Sequence, residues 1–133
     1  MTRAGLASPA VSGDLRHRLG RTGEDAAAAH LERLGYELVA RNHRTRFGEL
    51  DVIALDGETL VFCEVKTGRA GAAATPWDNL SPRKRGQVRR MAAAWLNDVA
   101  DRPHAAELRF DAICVTYDAH DRLASLDHLE AAF

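Results

Sequence analysis

Asp51, Glu64 and Lys66 interrupt two apolar runs, Glu49-Leu50-Asp51-Val52-Ile53 and Phe62-Cys63-Glu64-Val65-Lys66. Both runs read as buried β-strands, and charges are almost never buried without a partner or a metal. Glu64 and Lys66 are two apart, so they share a strand face. A hairpin turn at Asp56-Gly57 would pair Asp51 with Phe62 and leave Glu64 diagonal to it on one face. A turn centred on Gly57-Glu58 would put Asp51 directly opposite Glu64. Only a three-residue loop, Asp56 to Glu58, would separate the two carboxylates onto opposite faces. Both two-residue turns converge two carboxylates and one ammonium, the set required for Mg²⁺-dependent phosphodiester cleavage. The plainer reading is a structural ion pair at a sheet edge, Glu64–Lys66 or Asp51–Lys66.

Of the 18 basic residues, only Lys66 and Lys84 are lysine. Where arginine is the habitual cation, a retained lysine points to a need for a compact ammonium that can shift its pKa and orient a water. Charge is also segregated. Residues 1–48 carry +3, 49–66 carry -4, 67–91 carry +5 and 92–133 carry -5, for a net charge of -1. An acidic segment between two basic ones suits a divalent cation flanked by phosphate-contacting arms. Alone, the basic segments read more simply as a solvated helix face.

The elements that must position these residues follow from periodicity and punctuation. Residues 1–19 lack a sustained period and read as a mobile, mildly basic tail, leaving 20–133 as one domain. A helix is expected over Thr22–Leu34, with Thr22 as N-cap, Glu24 and Asp25 at its positive end, Ala27, Leu31 and Leu34 as its apolar stripe and Gly35 as its stop. Tyr36 to Ala40 is expected as a strand and Arg41 to Gly48 as a polar connection. The central hairpin carries Leu50, Val52, Val61, Cys63 and Val65 on one face and Ile53, Leu55, Leu60 and Phe62 on the other. A sheet apolar on both faces calls for helices on both sides. Ser81-Pro82 opens a second helix with Val88, Met91, Ala92, Trp95, Leu96 and Val99 on its buried stripe. Leu108–Tyr117 and Leu123–Leu129 complete an αβββαβ(β) order. Glu49 shares the Asp51 face but reads as solvated near the strand end. Trp77 lies in a Gly/Ala-rich loop and either stacks on a base or packs back onto the domain. Asp111 shows no evident partner, and the six histidines show no ligand spacing. Cys63 and Cys114 read as reduced core thiols. No apolar run matches a membrane span and no signal-like stretch opens the chain, so a cytoplasmic location is expected.

The αβββαβ order, with twelve residues between Asp51 and Glu64-Val65-Lys66, resembles the PD-(D/E)xK nuclease fold. More closely, the chain resembles the bacterial YraN family, whose members are similar to archaeal Holliday junction resolvases. The matching stretches are Gly20-Arg21-Thr22-Gly23-Glu24, Gly35-Tyr36, Asn42, Gly48-Glu49-Leu50-Asp51-Val52-Ile53-Ala54, Val61-Phe62-Cys63-Glu64-Val65-Lys66, Lys84 and His128-Leu129-Glu130-Ala131-Ala132-Phe133. Two features depart from it: Thr67-Gly68 follows Lys66 where arginine is more usual, and the next loop is alanine-rich. The resemblance implies a restriction-endonuclease-like α/β fold, with a mixed sheet flanked by helices on both faces. It implies Mg²⁺ (or Mn²⁺) held by Asp51, Glu64 and the Val65 carbonyl, with Lys66 orienting the attacking water. Glu24 matches the family's extra acidic residue, a ligand to a metal water or second metal. Its alternative role is favouring the helix dipole. DNA, with branched DNA among its forms, is the implied partner, touched by Arg21, Lys84, Arg85 and Arg89, with the protein a monomer or homodimer. A different class of reading is a non-catalytic DNA-binding or adaptor protein that retains the nuclease fold.

Overall fold

A computed structural model of the chain describes residues 22–72 and 80–133. The proposed N-terminal tail, Arg21 and Trp77 lie outside the described residues. Helix α1 covers residues 22–33. It is followed by β1 (Glu37–Thr45), β2 (Gly48–Asp56), β3 (Thr59–Arg69), α2 (Pro82–Asp98), β4 (Glu107–Tyr117) and β5 (Leu123–Leu129). The strands form one mixed sheet in the order β1-β2-β3-β4-β5. Neighbours are antiparallel except β3 and β4, which run parallel and are joined through α2. A parallel pair requires such a crossover.

Each face of the sheet has its own apolar layer. Ala27 and Leu31 of α1 pack with Val52, Ala54, Val61, Cys63, Val65, Ile113 and Val115. Val88, Met91, Ala92 and Trp95 of α2 pack with Leu50, Ile53, Leu60 and Phe62. The expected coverage of both faces is therefore present. Ser81 caps α2, its Oγ accepting from the Lys84 N–H at 3.2 Å, with proline in the first turn. Two apolar assignments differ from the sequence expectation. Leu34 lies beyond the helix end and is 53 % exposed. Leu50 joins the α2 layer instead of the Val52 layer, because β2 departs from regular alternation around Asp51.

The stretch expected as a polar connection, Arg41 to Gly48, is largely strand. β1 continues to Thr45, and the turn is only Arg46-Phe47 between the paired Thr45 and Gly48. The misleading signal was polarity: β1 is an edge strand among the described residues, and edges carry charge to discourage further pairing.

Asp111 is not partnerless. It is fully buried and receives Arg109 through Nε and Nη2, both at 2.9 Å, His128 Nε2 at 2.8 Å and the Ala131 N–H at 3.0 Å. Burial opposes its charge, but the His128, Arg109 and Ala131 hydrogen bonds outweigh that and hold its carboxyl below the usual range. Arg109 also donates to the Tyr36 hydroxyl at 2.7 Å, and His128 Nδ1 meets His30 Nε2 of α1 at 3.0 Å. Two histidines without ligand spacing thus tie α1 to the last strand. Asp111→Ala removes the acceptor shared by Arg109 and His128 but leaves the part-buried Arg109 beside Asp56 and Glu130, so it should cost about 2–3 kcal/mol of stability. Chemical denaturation measures this, and a loss below about 1 kcal/mol would show the network to be dispensable.

Candidate functional site

The hairpin turn is Gly57-Glu58, closed by the Asp56–Thr59 pair, with Gly57 at φ 62°. This is the register that aligns Asp51 with Glu64. The β2–β3 ladder ends at Val52–Cys63. Beyond it, β2 stays paired with β1 back to Gly48, while β3 stays paired with β4 out to Arg69. The sheet therefore forks at Asp51 and Glu64. A fork leaves backbone donors without a ladder partner, and buried N–H groups need one. The Asp51 Oδ2 supplies it, accepting from the Val65 N–H at 2.8 Å.

Glu64 is 5 % exposed. Lys66 Nζ and Lys84 Nζ each lie 3.2 Å from its Oε2. The only two lysines in the chain, one from β3 and one from the first turn of α2, thus converge on one carboxylate oxygen. Lys84, expected to touch phosphate, lies within the fork. Among the described residues, none of the ion pairs uses Oε1.

On the other side of Asp51 the charge is acidic. Carboxylate oxygens of Glu24, Glu49 and Asp51 lie within 4.8 Å of one another. Glu24 reaches the fork because α1 approaches β3 closely at Gly23, where a Cβ would collide with the Thr67 hydroxyl. Asn42 holds it there, donating Nδ2–H to Glu24 Oε1 at 2.7 Å. Asn42 has φ 52°, a left-handed conformation that asparagine tolerates better than most residues. Glu49, expected to be solvated, belongs to this cluster. Its i, i+2 relation to Asp51 was visible in the sequence, but the fork that leaves strand-end space between them was not. Burial first, then the nearby Glu64 and Glu24 charges, push the Asp51 carboxyl up to about 8, against the opposing Val65 hydrogen bond and Lys84.

Of the other residues expected to touch a nucleic acid, Arg89 lies over the Phe110 ring at 4.6 Å. Arg85 is part-buried on α2, with Nε making no hydrogen bond among the described residues. Cys114 is pushed up to about 12 by burial, and Cys63, equally buried, is also raised, consistent with inert core thiols.

The model for "Uncharacterised protein family UPF0102" matches residues 23–115, from the start of α1, which carries Glu24, to the strand beside Glu64. The chain belongs to the UPF0102 family. It is 40 % identical over 126 residues to a UPF0102 protein of Acidothermus cellulolyticus, covering 89 % of this chain and 95 % of that one. It is 44 % identical over 116 residues to a UPF0102 protein of Frankia casuarinae, covering 86 % and 95 %. A UPF0102 protein of Geobacter sulfurreducens is 44 % identical over 117 residues, covering 86 % and 88 %. The UPF0102 match thus spans α1 through β4 and includes every residue of the fork. Among the described residues, no helix is long and apolar enough to cross a membrane.

Proposed function

We propose that this UPF0102 chain is a divalent-metal-dependent DNA endonuclease acting on branched DNA. The observation that carries the reading is the fork, where four acids and the chain's only two lysines meet beside strands that no longer pair. The donor set suits a hard cation. It consists of carboxylate oxygens, and burial first, then the Glu64 and Glu24 charges, hold the Asp51 carboxyl up, a cost that a bound cation would relieve. Asp51, Glu64 through Oε1, and the Val65 carbonyl would hold Mg²⁺ or Mn²⁺, with Glu24 and Glu49 holding its waters or a second ion. A bound cation supplies Lewis acidity, polarising the phosphate and stabilising the leaving oxygen. Lys66 orients the attacking water and offsets transition-state charge. Lys84 fixes Glu64 from α2. Arg85 and Arg89 of α2 contact backbone phosphates, and Arg21, outside the described residues, is the further expected contact.

One observation favours a non-catalytic DNA-binding adaptor: two ammoniums on Glu64 Oε2 also make a self-sufficient ion-pair network. Calorimetric Mn²⁺ titration separates the readings. Wild type should bind Mn²⁺ and nick branched DNA more than linear duplex, and Asp51→Ala should lose both. Mn²⁺ heat unchanged in Asp51→Ala would remove the metal site and leave the adaptor.

A further inference from the structure

We propose that the cavity between the β1–β2 turn and α2 binds one unpaired nucleotide of the DNA strand that reaches the fork. The inference rests on the nuclease reading and names the feature that would make the substrate branched.

The cavity has a volume of about 530 Å³, within the range of small-ligand sites. Phe47, Ala93 and Ala94 give it an apolar floor. The Arg46 guanidinium lies over the Phe47 ring at 4.8 Å, and that of Arg90 approaches the same ring at 6.0 Å. Aromatic rings and guanidinium planes are the surfaces on which unstacked bases lie, and the same guanidiniums pair with phosphate. Asn97 and Asp98 also line it. An amide and a carboxylate can read the amino and carbonyl groups of a base edge, whereas a site for free phosphate gains nothing from Asp98.

The cavity wall is fixed before any ligand arrives. Thr45 Oγ1 accepts from the Phe47 N–H at 3.1 Å and donates to the Gly48 carbonyl at 2.9 Å. Gln87 Nε2 of α2 donates to the Phe47 carbonyl at 2.6 Å, clamping the turn to the helix. Gly48, at φ 135°, has the Gln87 amide and Met91 sulfur where a Cβ would project, so the turn sits tightly on α2. Phe47 is also only two residues from Glu49, so the turn that walls the cavity continues directly into the strand that carries Glu49 and Asp51 of the acidic cluster. Bases in a duplex present only their edges, because stacking hides their faces. Only an unpaired or flipped base can enter such a site.

The test uses the full-length protein in EDTA and two fluorescein-labelled duplexes, one blunt and one with a five-nucleotide single-stranded flap. Fluorescence anisotropy should show the flap bound about tenfold more tightly, the scale of one base–aromatic stack. Ala93 is exposed on α2, so Ala93→Trp fills the cavity without disturbing the core. It should abolish the flap preference and leave blunt-duplex affinity and the Mn²⁺ heat unchanged. Phe47→Ala, with folding checked by its melting curve, should do the same. A flap preference that persists in Ala93→Trp, or is absent from wild type, overturns the inference. Wild type that binds Mn²⁺ without preferring the flap refutes the cavity and leaves the nuclease reading intact. A cavity-dependent flap preference in a protein that binds no Mn²⁺ does the reverse.

Discussion

Lys66→Ala should slow Mn²⁺-dependent nicking by about 10²–10³-fold, the scale of losing a positioned proton-handling or charge-stabilising group. The Lys66 ammonium sits 3.2 Å from Glu64 Oε2 at the mouth of the fork and is only 22 % exposed. It is therefore poised between the carboxylate and any water delivered there. DNA affinity should change little, since one cation is a small part of the phosphate-neutralising set. Folding should also survive, because Lys84 still pairs with the same oxygen. Lys66→Arg should remain slow, because the guanidinium is larger and holds its proton. Single-turnover nicking rates with DNA titrations check both variants. Full activity of the arginine variant would show that any cation suffices and would return Lys66 to an ion-pair role.

In the metal-free protein, Asp51→Asn should raise stability at pH 8 and leave it nearly unchanged at pH 4. The folded state pushes this carboxyl from 3.8 up to about 8 through burial and the Glu64 and Glu24 charges. A raised folded value means the native state holds the proton more tightly than the unfolded chain. The associated stability is complete below about pH 4 and is lost as pH rises through about 8. Asparagine has no charge to desolvate, and its amide oxygen still accepts the Val65 N–H. Discounted for partial solvent access, the gain at pH 8 should be about 2–3 kcal/mol, or roughly 10 °C in melting temperature. Mn²⁺ should reverse the ranking by stabilising wild type and not the variant. Its affinity for wild type should rise about tenfold per pH unit below pH 8, as one proton is displaced. A flat stability difference between pH 4 and 8 would mean that Asp51 ionises in its ordinary range.

The strands and helices were legible because apolar periodicity reports burial directly. The hairpin's two faces apart from Leu50, the Ser81-Pro82 helix start and the Leu123–Leu129 strand follow from local pattern. The register of Asp51 and Glu64 was narrowed to three turns, and the choice among them depended on a Gly57-Glu58 backbone that composition does not fix. What lay beyond reach were contacts between residues far apart in the chain. Lys84 reaches Glu64 only because α2 crosses back over the sheet, and Asn42 reaches Glu24 only through a left-handed residue in an edge strand. The Arg109–Asp111–His128–His30 network joins α1, β4 and β5, and no spacing along one element encodes it.

The fork also bears on the order in which the molecule assembles. The β2–β3 hairpin closes through a two-residue turn and can zip early, but it brings Glu49, Asp51 and Glu64 together with Lys66 as the only local cation. The second ammonium, Lys84, comes from α2, whose docking requires closure of a much longer loop. The native ladder accordingly ends at Val52–Cys63, beyond which pairing would press the acids together. Docking of α2 and neutralisation of Glu64 become one event. The candidate centre is therefore the last part of the sheet to acquire its native charge balance, and a divalent ion present during refolding should speed that closing step rather than the first collapse.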